Sequence, residues 1–86
     1  MTTFSSVYGG SCFEKPIDVD DCRVRAEQGN AVAQGMLGAL YSEGLGVLQD
    51  YKEAVKWLTK SAEQGNAVAQ GMLGVLYDSG QGVLQD

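Results

Sequence analysis

A chain of 86 residues is one small domain rather than two, because domains usually run to about 100–200 residues. With 44% hydrophobic and 20% charged residues, it has a globular composition but a thin core, since so short a chain buries only roughly 60–65% of its unfolded surface. Lys+Arg 6 against Asp+Glu 11 leave a net charge of -5, which argues against nucleic acid or an anionic membrane as partner and mildly for a basic one. Histidine is absent, which removes the usual general base, nucleophile activator and nitrogen ligand for metals; no catalytic, cofactor or metal site is expected.

The first ten residues, Met1 to Gly10, carry neither a basic stretch nor an uninterrupted apolar run, so they do not read as a secretory signal. No apolar run approaches the ~18 residues a membrane span needs, and the expected location is cytoplasmic. Cys12 and Cys22 cannot make a tetrahedral zinc site alone, and neither has an activating base beside it. In that compartment the preferred reading is two reduced thiols, with a disulfide closing the short loop between them as the alternative. Residues 1–16 are read as an N-terminal extension with no element assigned. A helix is predicted over 17–28, starting just after Pro16 and carrying Val19, Cys22 and Ala26 on one face.

Gly29 sits where that helix stops in a left-handed turn, and Asn30 caps the next one by accepting from an orphan backbone amide. From there Ala33, Leu37, Leu40 and Tyr41 recur at helical spacing until Gly44 and Gly46 break the pattern, giving a helix over 30–43. Asp50, with Glu53 three residues on, resembles a capping box. Tyr51, Ala54, Val55, Leu58 and Ala62 then keep helical period to Gly65, so a second helix runs antiparallel to the first. Asn66 opens a third over 66–79. Glycines within these helices cost up to ~1 kcal/mol each, and close approach of a partner helix at Gly38 and Gly74 is the expected compensation.

The first and third of these helices are copies. Ala26–Asp50 aligns with Ala62–Asp86 at an offset of 36, differing only at Ala39/Val75, Ser42/Asp78, Glu43/Ser79 and Leu45/Gln81. A fixed period of this length marks a helical solenoid. The predicted fold is therefore all-α: a short α-solenoid of antiparallel hairpins with about two repeats. It divides into an opening half-repeat at 17–29, a full repeat at 30–65 and a partial repeat at 66–86. At the register of the outer helix, Cys22 falls on the Leu58 position and Val19 on Val55, so the opening helix is a degenerate outer half-hairpin.

The pattern Ala33-Gln34-x-x-Leu37-Gly38-x-x-Tyr41-x-x-Gly44-x-Gly46-Val47-x-x-Asp50, repeated from Ala69 to Asp86 with Ala54, Trp57 and Leu58 between, resembles the Sel-one-like repeats (SLR). These are relatives of the tetratricopeptide repeat. The resemblance covers about 26–86 and implies a right-handed superhelical scaffold that binds a protein or peptide on its concave face, without catalytic residues. Carried over through Leu37-Gly38-x-x-Tyr41, it implies that Val32, Gly35, Ala39, Ser42 and Glu43 line that face in the first copy, and Val68, Gly71, Val75, Asp78 and Ser79 in the second.

Other features read as scaffold. Lys52, Lys56 and Lys60 step along a solvated outer face, Trp57 is a plug between repeats, and for Asn30, Asn66, Gln34 and Gln70 capping and contacts between repeats are preferred over hydrogen bonds to an extended peptide. The second copy reaches Asp86 without an equivalent of the outer helix. Solenoids need terminal caps, so the expected alternative is a structural self-associating module or a fragment of a longer repeat array, forming a homo-oligomer through Met72, Leu73, Leu76 and Tyr77.

Overall fold

The computed structural model describes residues 11–80, and within them the chain forms four α-helices and no strand. They are α1 (Val19–Glu27), α2 (Ala31–Glu43), α3 (Tyr51–Glu63) and α4 (Ala67–Ser79). Three start where their caps dictate: Asn30 and Asn66 Oδ1 accept from Ala33 N at 2.9 Å and Ala69 N at 3.0 Å, and Asp50 Oδ1 accepts from Glu53 N at 3.1 Å. Gly29 and Gly65, at φ 96 and 94, take the left-handed turn that lets one helix follow another almost directly. α1 begins at Val19, two residues later than the position of Pro16 predicts. The reason is Asp18, whose carboxylate accepts from Asp21 N at 3.2 Å and acts as the cap.

α2 and α3 form an antiparallel hairpin closed on Leu58, which is fully buried. The fit depends on Gly38: a Cβ there would stand 2.6 Å from Leu58 Cγ and 3.2 Å from the Ala54 carbonyl oxygen. The close approach predicted at Gly38 is thus present. At Gly74 it is not, for among the described residues nothing lies within 4 Å of the equivalent point. α1 packs on α2 through Cys22, Ala26, Ala33, Leu37 and Leu40, joined by Trp57 of α3, with Val19 at the margin. α4 packs on α3 through Ala54, Leu58, Ala69 and Leu76. Tyr41, partly buried, packs against both clusters, and the core is thin, as the composition requires.

Polar side chains register one repeat on the next. Gln34 is buried; its Nε2 donates to the Ala26 carbonyl at 3.1 Å and its Oε1 accepts from Gln64 Nε2 at 2.9 Å. Gln70 repeats the first of these bonds, to Ala62 O at 3.2 Å. Ser61 Oγ donates to Ala31 O at 2.6 Å. Trp57 is the expected plug, 7% exposed, and Lys56 Nζ stands 5.0 Å from its ring.

The cysteines differ from the preferred reading. Cys12 and Cys22 are joined in a disulfide, and both are fully buried. Compartment and the lack of a catalytic or metal-binding neighbourhood favour free thiols, but packing decides: both sulfurs meet in the core beside α1. Of the extension expected over 1–16, residues 1–10 lie outside the described residues, whereas residues 11–16 are tied to α1. Besides the bridge, Cys12 N donates to Asp21 Oδ2 at 2.9 Å and Asp18 N to Ser11 O at 3.1 Å.

Candidate functional site

Successive hairpins make α2 and α4 run in the same direction, side by side, with a groove of about 280 Å³ between them. It is lined by Val32, Gly35, Met36 and Ala39 from α2 and by Asn66, Val68 and Met72 from α4. These residues lie one or two turns from the helix starts, so the caps at Asn30 and Asn66 fix the level of both walls. Gly35 keeps the floor low: a Cβ there would stand 3.2 Å from Ser61 Oγ and 3.5 Å from Asn66 Nδ2. Val32 and Val68, equivalent residues of the two copies, are 53% and 71% exposed. Met36 and Met72 are equivalent too, and their unbranched side chains adapt to the shape of what they meet.

Asn66 is the polar member of the lining. Its Oδ1 is engaged by the cap bond to Ala69 N, so its amide N–H groups are the donors beside the groove. The walls carry no cation: α2 and α4 have no basic residue in the last turn, whereas α1 and α3 end with Arg25 and Lys60. Glu43 and Asp78 stand near the same ends, where helix dipoles already concentrate negative charge. The groove is therefore apolar and lies toward the helix starts, while the negative charge stands beyond it at the far ends of both helices. It offers shape and apolar contact, and none of its lining side chains is a nucleophile or an acid–base group.

Of the concave-face residues expected from sequence, Val32, Gly35, Ala39 and Val68 come together in the groove. The others do not line it. Ser42 is half-buried, its Oγ donating to Ala39 O at 3.3 Å; Glu43 is exposed at the end of α2; Gly71, Val75, Asp78 and Ser79 are exposed farther along α4. Met36, Asn66 and Met72 line the groove as well, outside the expected concave-face set. The signal for both methionines was available, since each lies four residues after a predicted valine and so one turn along the same stripe. In the set expected to drive self-association, Leu76 is buried against Ala54, Leu58 and Ala69, so it is core and offers no surface to a second copy. Met72 and Leu73 are half-buried against that cluster, and Tyr77 is 49% exposed.

No helix among the described residues is long and apolar enough to cross a membrane. The family model for the Sel1 repeat matches residues 31–66 and 67–86, more than half of the chain. Among solved structures, the chain is similar to a Sel1 repeat protein from Oxalobacter formigenes, at 40% identity and a TM-score of 0.75. The match covers 79% of this chain and 51% of that one, so the chain spans about half the length of its relative. No curated protein matches it.

Proposed function

Because the chain belongs to the Sel1 repeat family, whose repeats generally mediate contacts between proteins, we propose that it is a binding module whose α2–α4 groove holds an apolar side chain of a partner protein or peptide. The observation that carries this reading is the exposure of Val32 and Val68 on the two walls of one apolar groove. Two branched apolar residues kept in water at matching positions mark a contact surface more than a scattered hydrophobe does. The net charge of -5 and the absence of cations on α2 and α4 support a partner whose basic residues reach past the anchor toward Glu43 and Asp78 at the far ends of both helices.

The test is a selection from a displayed random-peptide library against the native protein and against Val68→Arg. That position is exposed enough to accept arginine without disturbing the core, as unchanged melting and circular dichroism should confirm. The expected outcome is enrichment of peptides with one large apolar residue flanked by lysine or arginine, lost with the variant. Enrichment of the same peptides by both proteins would overturn the assignment of the groove. The self-association reading rests on Tyr77 and Leu73 at the α4 edge, and a dimer by light scattering that Tyr77→Glu abolishes would favour it instead.

A further inference from the structure

At the 36-residue offset, α1 lies over α3 with Cys22 at Leu58, Asp18 at Ala54, Asp21 at Trp57 and Arg25 at Ser61. Leu58 is held between two inner helices, with Gly38 of α2 on one side and Ala69 and Leu76 of α4 on the other. Cys22 has α2 on one side only, through the cluster with Ala33 and Leu37. Its other neighbour is the segment of residues 11–18, which runs back to α1. Cys12 is bonded there to Cys22, and both have no solvent exposure. Asp21, standing where α3 has its buried tryptophan, accepts from Cys12 N at 2.9 Å and from Arg25 Nε at 2.7 Å. The Arg25 guanidinium in turn lies 5.1 Å from the Phe13 ring. Where α3 presents Ala54, Trp57 and Ser61 to its neighbours, α1 presents two acids and a base, residue types that suit a water-facing end.

We propose that residues 11–18 are a latched end cap of the repeat array, with the Cys12–Cys22 bridge as a redox-operated latch. Oxidised, the cap stands in for a preceding repeat and seals the α1 edge, as terminal caps do in solenoids. Reduction by a dithiol transfers two electrons and two protons: the Sγ–Sγ bond breaks, two thiols form and the reductant leaves as its own disulfide. Without the bridge, residues 11–17 are tied to α1 by the Cys12 N–Asp21 Oδ2 and Asp18 N–Ser11 O hydrogen bonds, the Phe13–Arg25 contact and the packing of Ile17 at the core margin, too little to offset the entropy of holding those residues in place. The segment leaves, and the apolar edge around Cys22 and Ala26 opens to solvent. Because the sulfurs are buried, a reductant reaches them only through local opening of the cap, so reduction is slow and requires no global unfolding. This proposal does not depend on the groove having a ligand.

The experiment is reduction of the native protein by dithiothreitol at neutral pH without denaturant, with alkylation by iodoacetamide read by mass spectrometry and amide exchange read by peptide segment. The expected result is two alkylated cysteines per chain and a loss of protection of at least about tenfold over residues 11–22. α3 and α4 should keep theirs, and reoxidation should restore the cap. A Cys12→Ser, Cys22→Ser variant should show the same local pattern without reductant. Reduced protein that keeps its protection over 11–22 would overturn the latch. Loss spread equally over all four helices, or a double variant that fails to fold, would overturn the end cap and make the bridge a support of the whole fold.

Discussion

α2 and α4 have nearly the same sequence and different fates. Over thirteen residues they differ only at Ala39/Val75, Ser42/Asp78 and Glu43/Ser79, yet α2 buries Ala33, Gln34, Leu37, Gly38 and Leu40 while α4 buries Ala69 and Leu76. Both keep the same cap, the same length and the same left-handed glycine at the end, so local structure follows sequence in each. Burial follows neighbours. α2 lies between α1 and α3, whereas α4 packs on α3 and touches α2 more lightly, and no helix among the described residues covers its other side. The same residue is therefore a core residue in one copy and a surface residue in the other, and its energetic weight should differ accordingly.

The largest expected effect removes the residue that the two copies share. Leu58 touches Gly38 of α2 and packs with Ala69 and Leu76 of α4, so Leu58→Ala should leave a cavity between both hairpins and cost about 2–5 kcal/mol. Denaturant unfolding measures it. An effect below 1 kcal/mol would mean that α2 and α4 do not meet through this side chain. A smaller change separates the two copies cleanly. Gly38→Ala places a Cβ 2.6 Å from Leu58 Cγ and 3.2 Å from a backbone carbonyl, and should cost roughly 1–3 kcal/mol by overpacking. Gly74→Ala meets open space among the described residues and should gain up to about 1 kcal/mol from helix propensity alone. Opposite signs at equivalent positions would establish that neighbours set the role of each glycine; equal signs would break the comparison.

The contrast also explains how much the sequence could tell. The helices, their order and their caps were legible because Asn30, Asp50 and Asn66 act within three residues of themselves, and the repeat declared the solenoid. Gly38 and Gly74 could not be told apart, since what distinguishes them is a helix beside one and not the other. The groove was half legible: Val32 and Val68 follow from the helical stripe, whereas sequence favours Asn66 as a cap over a contact for a bound peptide, and its place in the groove depends on the level at which α4 stands beside Gly35. The cysteine bridge was illegible for a different reason. Arguments from compartment and from missing catalytic neighbours address reactivity, and nothing in them asks what covers the outer side of α1.

The smallest effect probes that cover. α2 owes one flank to α1, and the segment over α1 is fixed in part by Asp21, whose carboxyl is held below the usual range by the Cys12 backbone N–H and by Arg25 beside it. A carboxylate with a lowered value in the folded state stabilises that state at neutral pH, and the contribution is lost as pH falls through the lowered value. Acidification from about pH 4 downward should therefore loosen residues 11–18 before α3 and α4, read as faster amide exchange at Cys12 with the disulfide intact. Asp21→Asn should remove that part of the pH dependence and lower the protection of Cys12 at neutral pH, because an amide oxygen accepts from Cys12 N and Arg25 more weakly than a carboxylate does. The disulfide limits how far the segment can move in either case, so the change stays local and small. Cys12 exchange that ignores both acid and the substitution would mean that the bridge alone holds the segment, and that Asp21 serves only its ion pair with Arg25.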